Sequence, residues 1–160
     1  MSIETTYQRL RHNAKQIKIL IIEDSADHWV LMSKALKQCM PEAEPIRVSN
    51  SQQTLELLSA WSTQEWEMPK LIFQDLYLPT REDGLELLQQ IKNIAPSCSR
   101  VPIVMLSSSE NRTDIVEAYQ QGIASYLVKP ADFTNWLAYF EELRTYWWDT
   151  VTLPPVQFSI

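Results

Sequence analysis

Five short apolar runs punctuate the chain: KILII (18–22), PIRV (45–48), LIFQ (71–74), PIVML (102–106) and ASYLV (124–128). Four of them are nearly continuous in apolar residues, the pattern of strands buried on both faces. Between the runs the spacing turns helical. Leu31, Met32, Ala35, Leu36 and Cys39 form one stripe, and Leu85, Leu88, Ile91 and Lys92 form another with a polar back. Asp27 and Asn111 are expected as caps near helix starts, and Gly122 as a helix stop. Strands that alternate with helices predict an α/β fold with a parallel sheet covered on both sides.

The 160 residues, 45% hydrophobic and 21% charged, suit one domain with a single core. Residues 1–16 are polar with scattered basic groups and read as an N-terminal extension. The domain is expected over 17–148, followed by a tail at 149–160 that serves interaction or dimerisation. The connection at 61–69, WSTQEWEMP, is polar apart from Trp61 and Trp66. A net charge of −6 argues against nucleic acid or an anionic membrane as partner. No apolar stretch approaches membrane-spanning length and no secretory h-region opens the chain, so a soluble cytoplasmic protein is expected. Cys39 and Cys98 lie far apart and read as free thiols in a reducing compartment. With only His12 and His28 as imidazoles, a His/Cys zinc site is not expected, and His28 reads as a surface residue.

Chemistry gathers where the runs end. In doubly wound sheets the site lies beyond the carboxyl ends of the strands, where strand order reverses. For the order 2-1-3-4-5, that crevice falls between the first and third strands. IIEDS brings Glu23 and Asp24 there, and FQD brings Asp75. Three like charges meeting in one cleft invite a cation. Oxygen-only ligands at a sheet edge suit Mg²⁺, which keeps several waters and takes one or two carboxylates plus a phosphate. The fourth run ends in LSSS (Ser107, Ser108, Ser109) and the fifth in VKP, which adds the Lys129 ammonium. Read singly, each group has a plainer role. Asp75 is a turn residue, Glu23–Asp24 a helix N-terminal charge pair, Ser107 a backbone cap and Tyr126 core packing. Together they compose a phosphate-handling site.

IIEDS, DLYLP…DG, VMLSSSE and SYLVKP, in that order and spacing, resemble the receiver domain of bacterial two-component response regulators over residues 17–148. The resemblance implies a flavodoxin-like fold: a doubly wound five-stranded parallel sheet, order 2-1-3-4-5, with five helices. It implies a signalling role rather than an enzymatic one, with Asp75 as the acceptor of a phosphoryl group from a histidine kinase. Mg²⁺ would be held by Asp24, Asp75 and the backbone carbonyl of Tyr77, with Glu23 acting through a bound water. Lys129 would pair with the phosphoryl group, Ser107 would follow it, and Tyr126 would turn inward in response. Tyr77 and Ser109 occupy positions that set the hydrolysis rate in this family. The Lys129–Pro130 bond is expected to be cis. A narrower resemblance, to the response regulators of cyanobacterial phytochromes, rests on KPADF, Trp147-Trp148 and Leu153-Pro154.

The pattern also departs from the family. Gln74 stands where an aliphatic residue is usual, Tyr77 where Asn is frequent, and one extra residue lies between Pro79 and Asp83-Gly84. A phosphorylation-independent adaptor is therefore the competing reading. A haloacid dehalogenase-type phosphatase needs a second Asp two residues after Asp75, where Tyr77 stands. In a flavodoxin the loop after strand one binds a phosphate, which Glu23 and Asp24 would repel. Because 149–160 is too short for a DNA-binding domain, output is expected through protein–protein contact. Aromatics on the last helix exceed one buried face. Trp136, Phe140, Leu143 and Trp147 have the spacing to pack on the sheet. Phe133, Leu137 and Trp148 then form one flank and Tyr139 and Tyr146 the other, so a homodimer through Tyr139, Tyr146 and Trp148 is expected.

Overall fold

The computed structural model describes residues 17–146, so the extension at 1–16, the tail at 149–160 and Trp147-Trp148 lie outside the described residues. The strands are β1 (Ile17–Ile22), β2 (Ala43–Val48), β3 (Leu71–Asp75), β4 (Ile103–Ser107) and β5 (Ser125–Val128). All pair in parallel, in the order β2-β1-β3-β4-β5. The helices are α1 (Ala26–Cys39), α2 (Ser51–Ser62), α3 (Arg81–Ile94), α4 (Pro96–Arg100), α5 (Arg112–Gln120) and α6 (Phe133–Leu143). Five helices were expected and six are described; the addition is the single turn α4, whose PSCSR is too short to show a periodicity.

The two-residue period of the strands sorts the core into two layers. Ile19 and Ile21 of β1, with Leu71 and Phe73 of β3, face α1 and α6, where Met32, Leu36, Trp136 and Phe140 meet them. Leu20, Ile22 and Ile72 face the opposite way, onto Leu58, Leu85, Leu88 and Ile91 of α2 and α3. Both helical stripes therefore pack as their spacing predicts. Strands β1, β3 and β4 are buried almost throughout, whereas edge strand β5 is half-exposed despite its apolar run.

Side chains at the helix ends set the loops. Asn111 caps α5, as expected, by accepting from Thr113 N at 2.8 Å. Ser25, not Asp27, caps α1; Asp27 sits in the first turn, where an acid favours the helix dipole. Gly122 ends α5 with φ 97°, a conformation that L side chains resist. At Gly84 the need is space, since a Cβ there would lie 1.7 Å from Leu76 O. The first turn of α3 thus presses directly onto the loop that follows β3. Gln74 reinforces that contact, its Nε2 donating to Gly84 O at 2.7 Å.

Helix α5 is tied to α3 at both ends. Near its start, Arg81 Nε donates to Asp114 Oδ1 at 2.5 Å and the same guanidinium pairs with Glu117. Beyond its end, Lys92 Nζ donates to the carbonyls of Gln121 and Gly122, each at 2.9 Å.

Candidate functional site

The site forms on the carboxyl edge of the sheet because four strands stop in register there. Asp75 ends β3 opposite Leu106, Ser107 ends β4 one step further, and Lys129 follows Val128, the register partner of Ser107. Glu23 and Asp24 follow β1 directly. One oxygen from each of Glu23, Asp24 and Asp75 can be chosen so that all three lie within 4.8 Å of one another. Asp24 is exposed, while Asp75 is nearly buried and Glu23 fully so. That spacing suits a hard divalent cation, and the all-oxygen donor set favours Mg²⁺ or Mn²⁺ over softer metals.

Lys129 lies among these carboxylates. Its Nζ is 2.9 Å from Asp75 Oδ2 and 2.7 Å from Glu23 Oε2. Buried charges need partners, and these two acids and one base supply them to one another. Burial pushes the Asp75 carboxyl up to about 6; the Lys129 charge and hydrogen bond oppose the rise, and Glu23 adds to it. Burial would depress Lys129, but its hydrogen bond to Glu23 and the charge of Asp75 more than reverse this, leaving it above its ordinary value. Glu23 Oε1 also accepts from Ser25 N at 3.0 Å, which fixes the acid against the start of α1.

The remaining expected residues gather around this centre. Tyr77 N points to Asp75 Oδ1 at 3.3 Å. Ser107 is buried, and its Oγ accepts from Ser109 N at 3.0 Å. Tyr126 is half-buried beside the α2/α3 layer, with its hydroxyl donating to Ser109 O at 2.9 Å. The peptide bond before Pro130 is not cis; the cis bond among the described residues precedes Pro79.

His28 lies at the surface, as expected, but it also reaches the site. Its side chain is 41% exposed, yet Nδ1 lies 3.1 Å from Lys129 Nζ and 3.6 Å from Glu23 Oε1. An ammonium can only donate, so Nδ1 is the acceptor in the first contact. Asp114 and Arg81 were not singled out at all. Asp114 accepts from Tyr77, Ser109 and Arg81 at the mouth of the cleft. In sequence it reads as an ordinary acid in a helix's first turn.

The last helix is more engaged than its aromatic count suggests. Trp136, Phe140 and Leu143 are buried, as their spacing predicts. Phe133, Leu137 and Tyr139, expected on free flanks, are half-buried against the same core. Tyr139 meets Phe73 edge-on at 6.3 Å, and burial raises its hydroxyl pKa. Tyr146 remains 58% exposed.

The response regulator receiver domain model matches residues 19–141. The chain belongs to the response regulator receiver family. Receivers are signalling modules of two-component systems, and the observed strand order is that of the flavodoxin-like fold. Response regulator Rcp1 of a Synechocystis strain is 31% identical over 137 residues, covering 85% of this chain and 92% of that protein. The crystal structure of the Mn²⁺-bound form of Rcp1 superposes with a TM-score of 0.70, covering 86% of this chain and 99% of the other at 31% identity. That of the phosphorylated cyanobacterial phytochrome response regulator RcpA gives 0.75, covering 87% and 99% at 30% identity. The receiver thus resembles the phytochrome-associated branch of its family. No described helix is long and apolar enough to cross a membrane.

Proposed function

We propose that Asp75 accepts a phosphoryl group from the phosphohistidine of a histidine kinase, of the phytochrome type, in the cytoplasm. The observation that carries this reading is the Lys129 ammonium 2.9 Å from an oxygen of the nearly buried Asp75 at the carboxyl edge of the sheet. A carboxylate oxygen of Asp75 attacks phosphorus as the P–N bond breaks. The bonding electron pair returns to the imidazole, and an acyl phosphate results. Lys129 then follows the phosphoryl oxygens as a point charge, and its separation from Glu23 lets it stay paired throughout. Asp24, Asp75 and the Tyr77 carbonyl would hold Mg²⁺, with Glu23 reaching it through water. The ion supplies charge neutralisation at the phosphoryl oxygens. The Mn²⁺-bound and phosphorylated relatives support both halves of this assignment.

Ser107 would turn its hydroxyl to the phosphoryl group, releasing the Ser109 amide, and Tyr126 would respond through its bond to Ser109 O. Tyr77 and Ser109 would govern hydrolysis. The receiver unit spans 17–148, and output is by protein contact, including a homodimer through β5 and α6 with Tyr146 in the interface and Tyr139 beneath it. Trp148 belongs to the same assignment but lies outside the described residues.

The deciding experiment is incubation with a small phosphodonor and Mg²⁺, read by intact mass. Wild type gains one phosphoryl group and Asp75→Asn gains none. An unlabelled wild type, from donor and kinase alike, would make the protein a phosphorylation-independent adaptor.

A further inference from the structure

One carboxylate governs the side of the cleft between β3 and β4. Asp114 is 6% exposed and stands in the first turn of α5. Its Oδ2 accepts from Ser109 Oγ at 2.8 Å and from Tyr77 OH at 3.0 Å, while Oδ1 accepts from Arg81 Nε at 2.5 Å. An ionised carboxylate can only accept, so both hydroxyl protons are committed to Asp114. Ser109 is spent further: its Oγ accepts from Asn111 N at 3.1 Å, its amide holds Ser107 Oγ, and its carbonyl takes the Tyr126 hydroxyl. Its hydroxyl proton, held by Asp114, is not available to orient a water. Tyr77 is fastened at two points, by its amide to Asp75 Oδ1 and by its phenol to Asp114. Its ring therefore spans from the end of β3 to the start of α5.

We propose that Asp114 is a positioning residue that holds the Tyr77 ring across the β3–β4 side of the cleft, ties up the Ser109 hydroxyl, and so sets the lifetime of the aspartyl phosphate. The inference rests on Asp75 being the phosphoacceptor. It adds that the two positions flanking the water's path act as one device, controlled from α5. The electrostatics agree with a permanently ionised tether. Burial would raise the Asp114 carboxyl, but the hydrogen bonds from Ser109, Arg81 and Tyr77 outweigh it and hold it below the ordinary carboxylate value. The phenol of Tyr77 is raised by donating to Asp114 and so stays protonated, as the tether requires.

The test uses the full chain labelled by a small phosphodonor with Mg²⁺, with loss of the phosphoryl mass followed over time. Asp114→Ala and Tyr77→Phe should each shorten the lifetime by about threefold or more, a modest fraction of what one hydrogen bond can contribute to a barrier. Because both remove the same tether, the double variant should decay no faster than the faster single variant. Asp114→Asn, which keeps one acceptor oxygen, should fall between wild type and Asp114→Ala. A second readout needs no phosphoryl group. With 3-fluorotyrosine at position 77, the fluorine resonance of wild type should report one fixed ring environment, and Asp114→Ala should shift it toward the free amino acid. If Asp114→Ala does not fold, Tyr77→Phe carries the lifetime test, because it removes only the phenol oxygen. A labelled wild type with unchanged lifetimes in these variants, multiplicative effects in the double variant, or an unmoved fluorine resonance would overturn the role of Asp114. A wild type that takes no label overturns the phosphoacceptor reading and the lifetime claim with it.

Discussion

Lys129 Nζ donates to Asp75 Oδ2 across 2.9 Å, joining the end of β5 to the end of β3 over 54 residues of chain. The bond is formed in a nearly buried place, and it does not fully offset the cost of burying the acid. That imbalance makes Asp75 the most readily tested group in the cleft.

The Asp75 carboxyl is raised to about 6 from an ordinary value near 3.8. Between those values the folded protein holds more protons than the unfolded one, so stability is fullest below the ordinary value and falls as pH rises through 6. In chelator-treated buffer, wild type should therefore lose stability from about pH 4 to about pH 6 more steeply than Asp75→Asn. At pH 7 the variant should be at least as stable. Urea titrations of both proteins across this range provide the measurement, and a variant less stable than wild type by more than about 1 kcal/mol at pH 7 would contradict it.

Magnesium should raise the melting temperature of wild type in proportion to the logarithm of its concentration, reaching about 2.7 kcal/mol of stabilisation at a hundred times the dissociation constant. Asp24→Asn should abolish the shift while leaving the unliganded melt nearly unchanged, because Asp24 is exposed. Calorimetric titration of both proteins tests the assignment directly.

Gly84→Ala should cost about 3 kcal/mol or more, since the added methyl meets backbone and only a displacement of α3 or of the loop after β3 can admit it. The same displacement would move Tyr77, so phosphoryl lifetime should change with stability. Denaturant unfolding at constant m-value is the check for stability.

The two tyrosines on the proposed dimer face should separate by phenotype. Tyr146→Glu, at an exposed position, should shift the proposed homodimer toward monomer in sedimentation while the domain stays folded. Tyr139→Glu should lower the melting temperature, because its ring packs on Phe73 and Phe140. A monomeric wild type at micromolar concentration, with and without a phosphoryl mimic, would remove the dimer from the account.

Much of this was legible in the chain, and the omissions share a cause. β1, β3 and β4 are visible because buried parallel strands need unbroken apolar runs; their ends locate Glu23, Asp24, Asp75 and Ser107, and the end of β5 locates Lys129. Edge strand β5 carries the same signal although half of it meets solvent, since composition does not report which strand is last. Ser25 and Asp27 are both good capping residues two positions apart, and the backbone decides between them. The roles of Asp114, Arg81 and His28 were missed because the contacts that tie them to the site, Asp114 to both Tyr77 and Arg81, and His28 to Lys129, join residues 33 or more apart in sequence. No local period marks such a contact. Asp114 shares its residue type and helix position with many solvated acids, so only the convergence of α5 on the loop after β3 gives it a role.

The attachment of α5 to α3 has a mechanical consequence. A helix pinned at one end pivots; a helix pinned at both ends must slide, rotate about its own axis or break a fastening. The far fastening uses Lys92 against two carbonyls. The near one uses Arg81 against two carboxylates, beside the hydroxyls of Tyr77 and Ser109. An event in the cleft that broke the near fastening would leave α5 held at its Lys92 end alone. Freed at that end, the nine-residue α5 would pivot about its Lys92 fastening, and the end that moves is the one beside Tyr77 and Ser109.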